Sequence, residues 1–126
     1  MAEGKPAVLS LLEYLRSADP AKELQPLQWD DGVARATKHH VEDTGLQGLV
    51  GHIGSQGETP MDRVIRYANG TSPDKICMAE SLNYGENEAK EVLLWLAIDD
   101  GVESRGHRNN IMNPAFTKFG CHQGYH

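Results

Sequence analysis

Between Gly45 and Thr59 the chain reads GLQGLVGHIGSQGET, five glycines in fifteen residues with no helical period. Glycine weakens helix and strand alike, because it has the most backbone freedom to lose. The stretch is therefore a loop whose backbone turns repeatedly. The regular elements must lie before and after it.

Two helical patterns precede the loop. Pro6 opens the first, and Val8, Leu11, Leu12 and Leu15 fall at i, i+3, i+4 and i+7, one face of a helix that Asp19-Pro20 ends. AKELQPLQ follows as a connector, so residues 1–26 read as an N-terminal helix and its connector. A second helix is expected to start near Trp29, with Asp30 and Asp31 in its first turn, where carboxylates suit the helix dipole. Trp29, Val33, Ala36 and His40 share its inner stripe.

After the loop, Thr59-Pro60-Met61-Asp62 supplies an N-cap, a proline at the first helical position and an acid in the first turn. Val64, Ile65 and Ala68 then point inward, and Gly70 stops the helix. KICMAESLNYG is too irregular for helix and reads as a strand leading to a loop. Glu86 to Ile98 is the strongest helical pattern, with Ala89, Val92, Leu93, Leu96 and Ala97 inward and Gly101 as its C-terminal cap. AFTKFGCHQGY has the aromatic content of a strand. Helices around few strands make the class α+β, and 126 residues without a repeat fit one domain, residues 1–126.

Composition excludes several functions. Twelve basic residues against eighteen acidic ones give a charge of −6 with no basic run, so there is no electrostatic footprint for nucleic acid. No apolar run approaches the roughly 18 residues of a membrane span, and the start, MAEGKPAVLSLLEYL, lacks the pattern of a signal peptide. Cys77 and Cys121 are either one disulfide or two buried thiols, and their spacing excludes a CxxC zinc pair.

The chemistry-bearing residues are dispersed. His39 and His40 are neighbours on a helix and point about 100° apart, so one ion does not suit both. HExxH, GxSxG and a P-loop lysine are all missing. What remains is His52 in the glycine-rich loop, Glu80, the pair Asp99 and Asp100 at a helix end, and His107 in SRGHRNNIMNP. Two imidazoles and a carboxylate suit a zinc ion, or proton transfer near neutral pH. The plainer reading has the histidines bracing loops, Glu80 pairing with Arg105 or Arg108, and the aspartates forming a solvated helix end.

The order of four blocks resembles one family. LQWDDGVARATKHHVEDTG, GHIGSQGETPMDRVIRYA, AESLNYG and EVLLWLAIDDGVESRGHRNNIMNPAFTKFGC look like successive segments of a CAP domain, the SCP-like superfamily of cysteine-rich secretory, antigen 5 and pathogenesis-related 1 (PR-1-like) proteins. The likeness runs from Leu27 to Tyr125 and is nearest the compact bacterial and protist branch. It implies an α-β-α sandwich, with a small, mostly antiparallel sheet between helical layers and a central cleft.

By position, the resemblance implies a cleft tetrad of His52, Glu80, Asp99 and His107, with Asp100 the next choice for the second acid and His40 facing the same cleft. His52 and His107 are then the ligands of zinc or another divalent cation, and Arg108 braces its loop by bonding carbonyls or a carboxylate. The usual Gly-Glu-Asn has become Ala79-Glu80-Ser81, which keeps the carboxylate and loses the asparagine. The chain stops at CHQGYH, where relatives continue into a last strand, so the sheet is expected to keep an open edge suited to self-association. The implied function is a non-enzymatic, secreted-type module that binds a cation and an unidentified protein or lipid. The alternatives are a metal-assisted hydrolase of peptide or cell-wall material, using Glu80 and His107, and a module that works through its surface.

Overall fold

The computed structural model describes residues 2–17, 24–68 and 72–126. Close packing groups the chain into two units: Met1–Gln25 with Asn83–Ala115, and Pro26–Leu82 with Phe116–His126.

The first unit contains helix α1 (Lys5–Ser17), and helices α4 (Ala89–Ile98) and α5 (Gly106–Ile111), numbered in chain order with the elements of the second unit. α1 buries Ala7 and Leu11, while Val8, Leu12 and Leu15 of its expected inner face stay exposed. The expected stop at Asp19-Pro20 lies outside the described residues. α4 starts three residues after Glu86 and buries Ala97, but Leu93 is exposed. Its cap is not Gly101. Asp99 takes the left-handed turn, with φ 57°, and its N–H bonds the Trp95 carbonyl at 2.9 Å. A non-glycine residue in that conformation is held by its surroundings, and here the bonds of its own carboxylate supply the hold.

Arg108 binds the three helices of this unit together. Its Nε donates to the Ala97 carbonyl at 2.6 Å, and its terminal nitrogens donate to the Ile98 carbonyl at 2.9 Å, Ser10 Oγ at 3.0 Å and the Ala7 carbonyl at 3.5 Å. The last carbonyls of a helix have no partner within it, and a planar guanidinium supplies several donors at once. The carbonyls that Arg108 bonds belong to α1 and α4. Burial, helped by the nearby charge of Arg105, holds its pKa below the usual arginine value.

The second unit contains strand β1 (Gln28–Trp29), helix α2 (Asp31–Gly45), helix α3 (Pro60–Tyr67), a 3₁₀ turn at Pro73–Lys75 and strand β2 (Lys118–Phe119). Asp30 caps α2 by accepting from the Val33 N–H at 3.0 Å. Thr59 caps α3 as the sequence predicts, and Asp62 answers it to complete a reciprocal capping box. The half-buried Val64, Ile65 and Ala68 follow, and Gly70 lies outside the described residues.

Four expectations fail here. Trp29 is not on an inner helical stripe: it belongs to β1, is 57% exposed and meets Phe119 edge-on at 6.1 Å. The sheet, among the described residues, is a two-stranded parallel ribbon with Gln28 opposite Lys118 and Trp29 opposite Phe119, not an antiparallel one. The direction follows from what each strand feeds. β1 runs straight into the cap of α2, and β2 runs into Gly120, whose backbone lies against Val33 and Ala34 of the same helix. Lys118 completes the join through a 2.8 Å ion pair with Asp30. KICMAESLNYG forms no strand, and Cys77 and Cys121 are both free and exposed, neither bonded nor buried.

Candidate functional site

The predicted residues fall as two imidazole–carboxylate pairs, one within each unit. In the second unit, His52 Nδ1 lies 2.8 Å from Glu80 Oε1. In the first, His107 Nδ1 lies 2.7 Å from Asp99 Oδ1. An ionised carboxylate only accepts hydrogen bonds, so each Nδ1 carries a proton, and in the neutral imidazole Nε2 is then the nitrogen with the lone pair. The His52 side chain is 49% exposed and that of His107 is 32% exposed.

The His107 pair is built by the turn after α4. Because Asp99 is left-handed and 3% exposed, its carboxylate folds back over the start of α5. Oδ2 accepts the N–H of His107 at 2.8 Å and that of Arg108 at 3.3 Å, while Oδ1 takes the ring. Arg105, also left-handed with φ 52°, donates to the Asp99 and Val102 carbonyls at 2.9 Å and pairs with Glu3 at 2.6 Å. Asp100 is engaged elsewhere, accepting the N–H groups of Glu3 and Gly4 at 2.5 and 2.9 Å.

The His52 pair stands on the glycine-rich loop, which gains its shape from outside. Asp43 of α2 accepts both the N–H of Ser55 at 2.7 Å and its hydroxyl at 2.5 Å. Those two bonds, the hydroxyl first, hold the Asp43 pKa below the usual carboxylate range. His40 is buried and its Nε2 donates to the carbonyl of Gly51, the residue before His52, at 2.8 Å. Gly51 has φ 105°, so a side chain there would strain the turn that presents the histidine.

The decisive support is one that apolar spacing and motifs do not reveal. Arg63 of α3 is 1% exposed and donates to Glu80 Oε2 at 2.7 Å, to the His52 carbonyl at 3.1 and 3.2 Å, and to the Glu58 carbonyl at 3.1 Å. Glu80 therefore pairs with Arg63, not with Arg105 or Arg108. A signal was present: an arginine in the first turn of a helix works against the dipole and needs a local anion. A neighbouring chain of contacts was also unforeseen. Tyr67 Oη donates to His39 Nδ1 at 3.1 Å, His39 Nε2 reaches Glu58 Oε2 at 3.0 Å, and Arg66 pairs with Glu58.

A family model described as CAP: Cysteine-rich secretory protein family matches residues 9–125. The chain belongs to the CAP family. No curated protein and no solved structure matches it. In this CAP chain the match begins inside α1, earlier than the Leu27 start of the resemblance read from the sequence. Among its described residues no three His, Cys, Asp or Glu side chains gather as a ligand set, and no helix is long and apolar enough to cross a membrane.

Proposed function

We propose that the chain is a non-enzymatic, secreted-type CAP module, with the α-β-α layering of its family, that binds a divalent cation such as zinc through Nε2 of His52 and His107. One observation carries the reading: each imidazole has its Nδ1 bound to a carboxylate, so only Nε2 remains to meet a ligand. A metal-ligating histidine commonly donates its other nitrogen to a carboxylate, which fixes the tautomer and raises ligand basicity. The donor chemistry of both pairs fits a cation of this kind. Zinc accepts imidazole nitrogen readily. A bound cation would supply a fixed positive charge at which oxygen atoms of a partner could settle.

The hydrolase reading gains less support. It requires Glu80 to act as a general base, yet one Glu80 oxygen faces His52 and the other faces Arg63. A carboxylate so engaged has little freedom to collect a proton from a substrate.

Calorimetric titration with zinc tests the proposal. Wild type should give a binding isotherm, His52→Ala and His107→Ala should each weaken it, and the double variant should give none. Equal heats in all four proteins would remove the reading. Turnover of a peptide or ester library that needs both metal and Glu80 would favour the hydrolase instead.

A further inference from the structure

We propose that Arg63 is the positioning residue that orients the side chain at position 80 against the His52 ring, the contact through which the His52 tautomer is set. The consequence for cation binding rests on the function proposed above; the effect on the tautomer does not.

Arginine is almost never fully buried unless paired, and Arg63 is the largest fully buried side chain of the described residues. It lies in the first turn of α3, where the dipole disfavours a cation. Its partners show what the placement achieves. The guanidinium holds the main-chain carbonyl of His52 and one oxygen of Glu80, and the other Glu80 oxygen holds the His52 ring. Backbone and side chain of one histidine are thereby fixed by a single planar fork. Lysine, with a compact ammonium, cannot reproduce that frame.

The His107 pair does without such an arginine, because backbone N–H groups hold the second Asp99 oxygen. His107 is thus an internal control for His52 in the same protein.

Glu80→Gln makes the claim falsifiable in an isosteric variant. A guanidinium only donates, so Arg63 must draw the carbonyl oxygen of the substituted side chain to itself. The amide nitrogen of that side chain then faces His52 Nδ1, which has to become an acceptor, and the ring proton moves to Nε2. Without Arg63, the amide is free to present its oxygen to His52 and leave the tautomer as it was.

The experiment is long-range proton–nitrogen correlation NMR on histidine-labelled protein at alkaline pH, with His52→Gln to assign the signals. Wild type should show the Nδ1–H form at both His52 and His107. Glu80→Gln should switch His52 to the Nε2–H form and leave His107 unchanged, and zinc affinity should fall about 10–100-fold. Adding Arg63→Met to Glu80→Gln should undo the switch. His52 remaining Nδ1–H in Glu80→Gln would overturn the inference, as would a switch that survives the second substitution. Should the double variant not fold, shown by loss of the His107 signal, Arg63→Gln in the Glu80→Gln background takes its place; its amide can donate or accept, so it should give a mixture of tautomers, and a complete switch there would also overturn the inference. If the tautomers behave as stated but wild type takes up no zinc, the cation proposal fails and the role of Arg63 stands.

Discussion

Asp99 and His107 are joined twice: one carboxylate oxygen accepts the backbone N–H of His107 at 2.8 Å while the other accepts its ring Nδ1–H at 2.7 Å. The same residue that ends α4 in a left-handed turn therefore starts α5 and orients its imidazole. Replacing it separates these roles. Asp99→Ala should destabilise the protein by about 2–3 kcal/mol, because buried N–H groups lose their acceptor. Asp99→Gly should be about 1 kcal/mol less harmful, since glycine adopts the left-handed turn without strain. Urea unfolding of the two variants checks the difference, and equal midpoints would show that the turn stores no strain.

The parallel ribbon depends on a glycine that cannot grow. A Cβ on Gly120 would lie 2.7 Å from the Val33 carbonyl carbon and 2.9 Å from Ala34 Cα, both backbone atoms that cannot swing aside. Gly120→Ala should cost about 1–3 kcal/mol and separate Phe119 from Trp29, visible as a change in tryptophan fluorescence. Gly48→Ala is the contrasting case. Nothing lies within 4 Å of its added carbon, and only its positive φ of 64° matters, so about 1 kcal/mol is expected.

Acid should act through carboxylates that already have partners. Asp43, Asp30, Asp62 and Glu3 all have pKa values below their ordinary range, held there chiefly by Ser55, Lys118, Thr59 and Arg105 respectively. Their unfolded forms bind protons more readily, so stability rises with pH between the folded and unfolded values. The contribution is complete above the unfolded value, about pH 4, and is lost as pH falls through the folded one. Denaturant midpoints should be flat above about pH 5 and drop steeply below. Asp43→Asn should make that drop shallower, and Ser55→Ala should do so in part, since the Ser55 N–H remains.

Arg108→Lys should be far from conservative. Lysine cannot serve the Ala97 and Ile98 carbonyls and Ser10 Oγ together, as the guanidinium does at 2.6, 2.9 and 3.0 Å. A loss of about 2–4 kcal/mol is expected from the carbonyls left unpaired. Hydrogen exchange should show it first at amides of α1, which Arg108 ties to the end of α4.

Helices were legible in the sequence where capping chemistry accompanied apolar spacing, as at Thr59-Pro60-Met61-Asp62. The strands were not, because two residues each leave no alternation to count; Trp29 looked like the start of a helix that in fact begins after Asp30. The resemblance gathered His52, Glu80, Asp99 and His107 in one cleft without saying which acid each imidazole bonds, and Glu80 lies 28 positions from His52. The resemblance put Asp99 ahead of Asp100 by position alone; the left-handed turn that aims the Asp99 carboxylate at His107 has no signal in two adjacent aspartates. Arg63 was hidden by the habit of assigning arginines to the surface, although its place in a helix's first turn was already unusual.

The described interior holds Ala7, Leu11, Ala36 and Ala97 as its buried apolar residues, beside His40, Thr44, Arg63, Asp99 and Arg108. An interior so rich in directional polar bonds exposes little hydrocarbon when it opens, and newly wetted hydrocarbon is what raises the heat capacity of an unfolded chain. Its calorimetric stability curve should therefore be broad and shallow, with cooling far below the melting point doing little to weaken the protein.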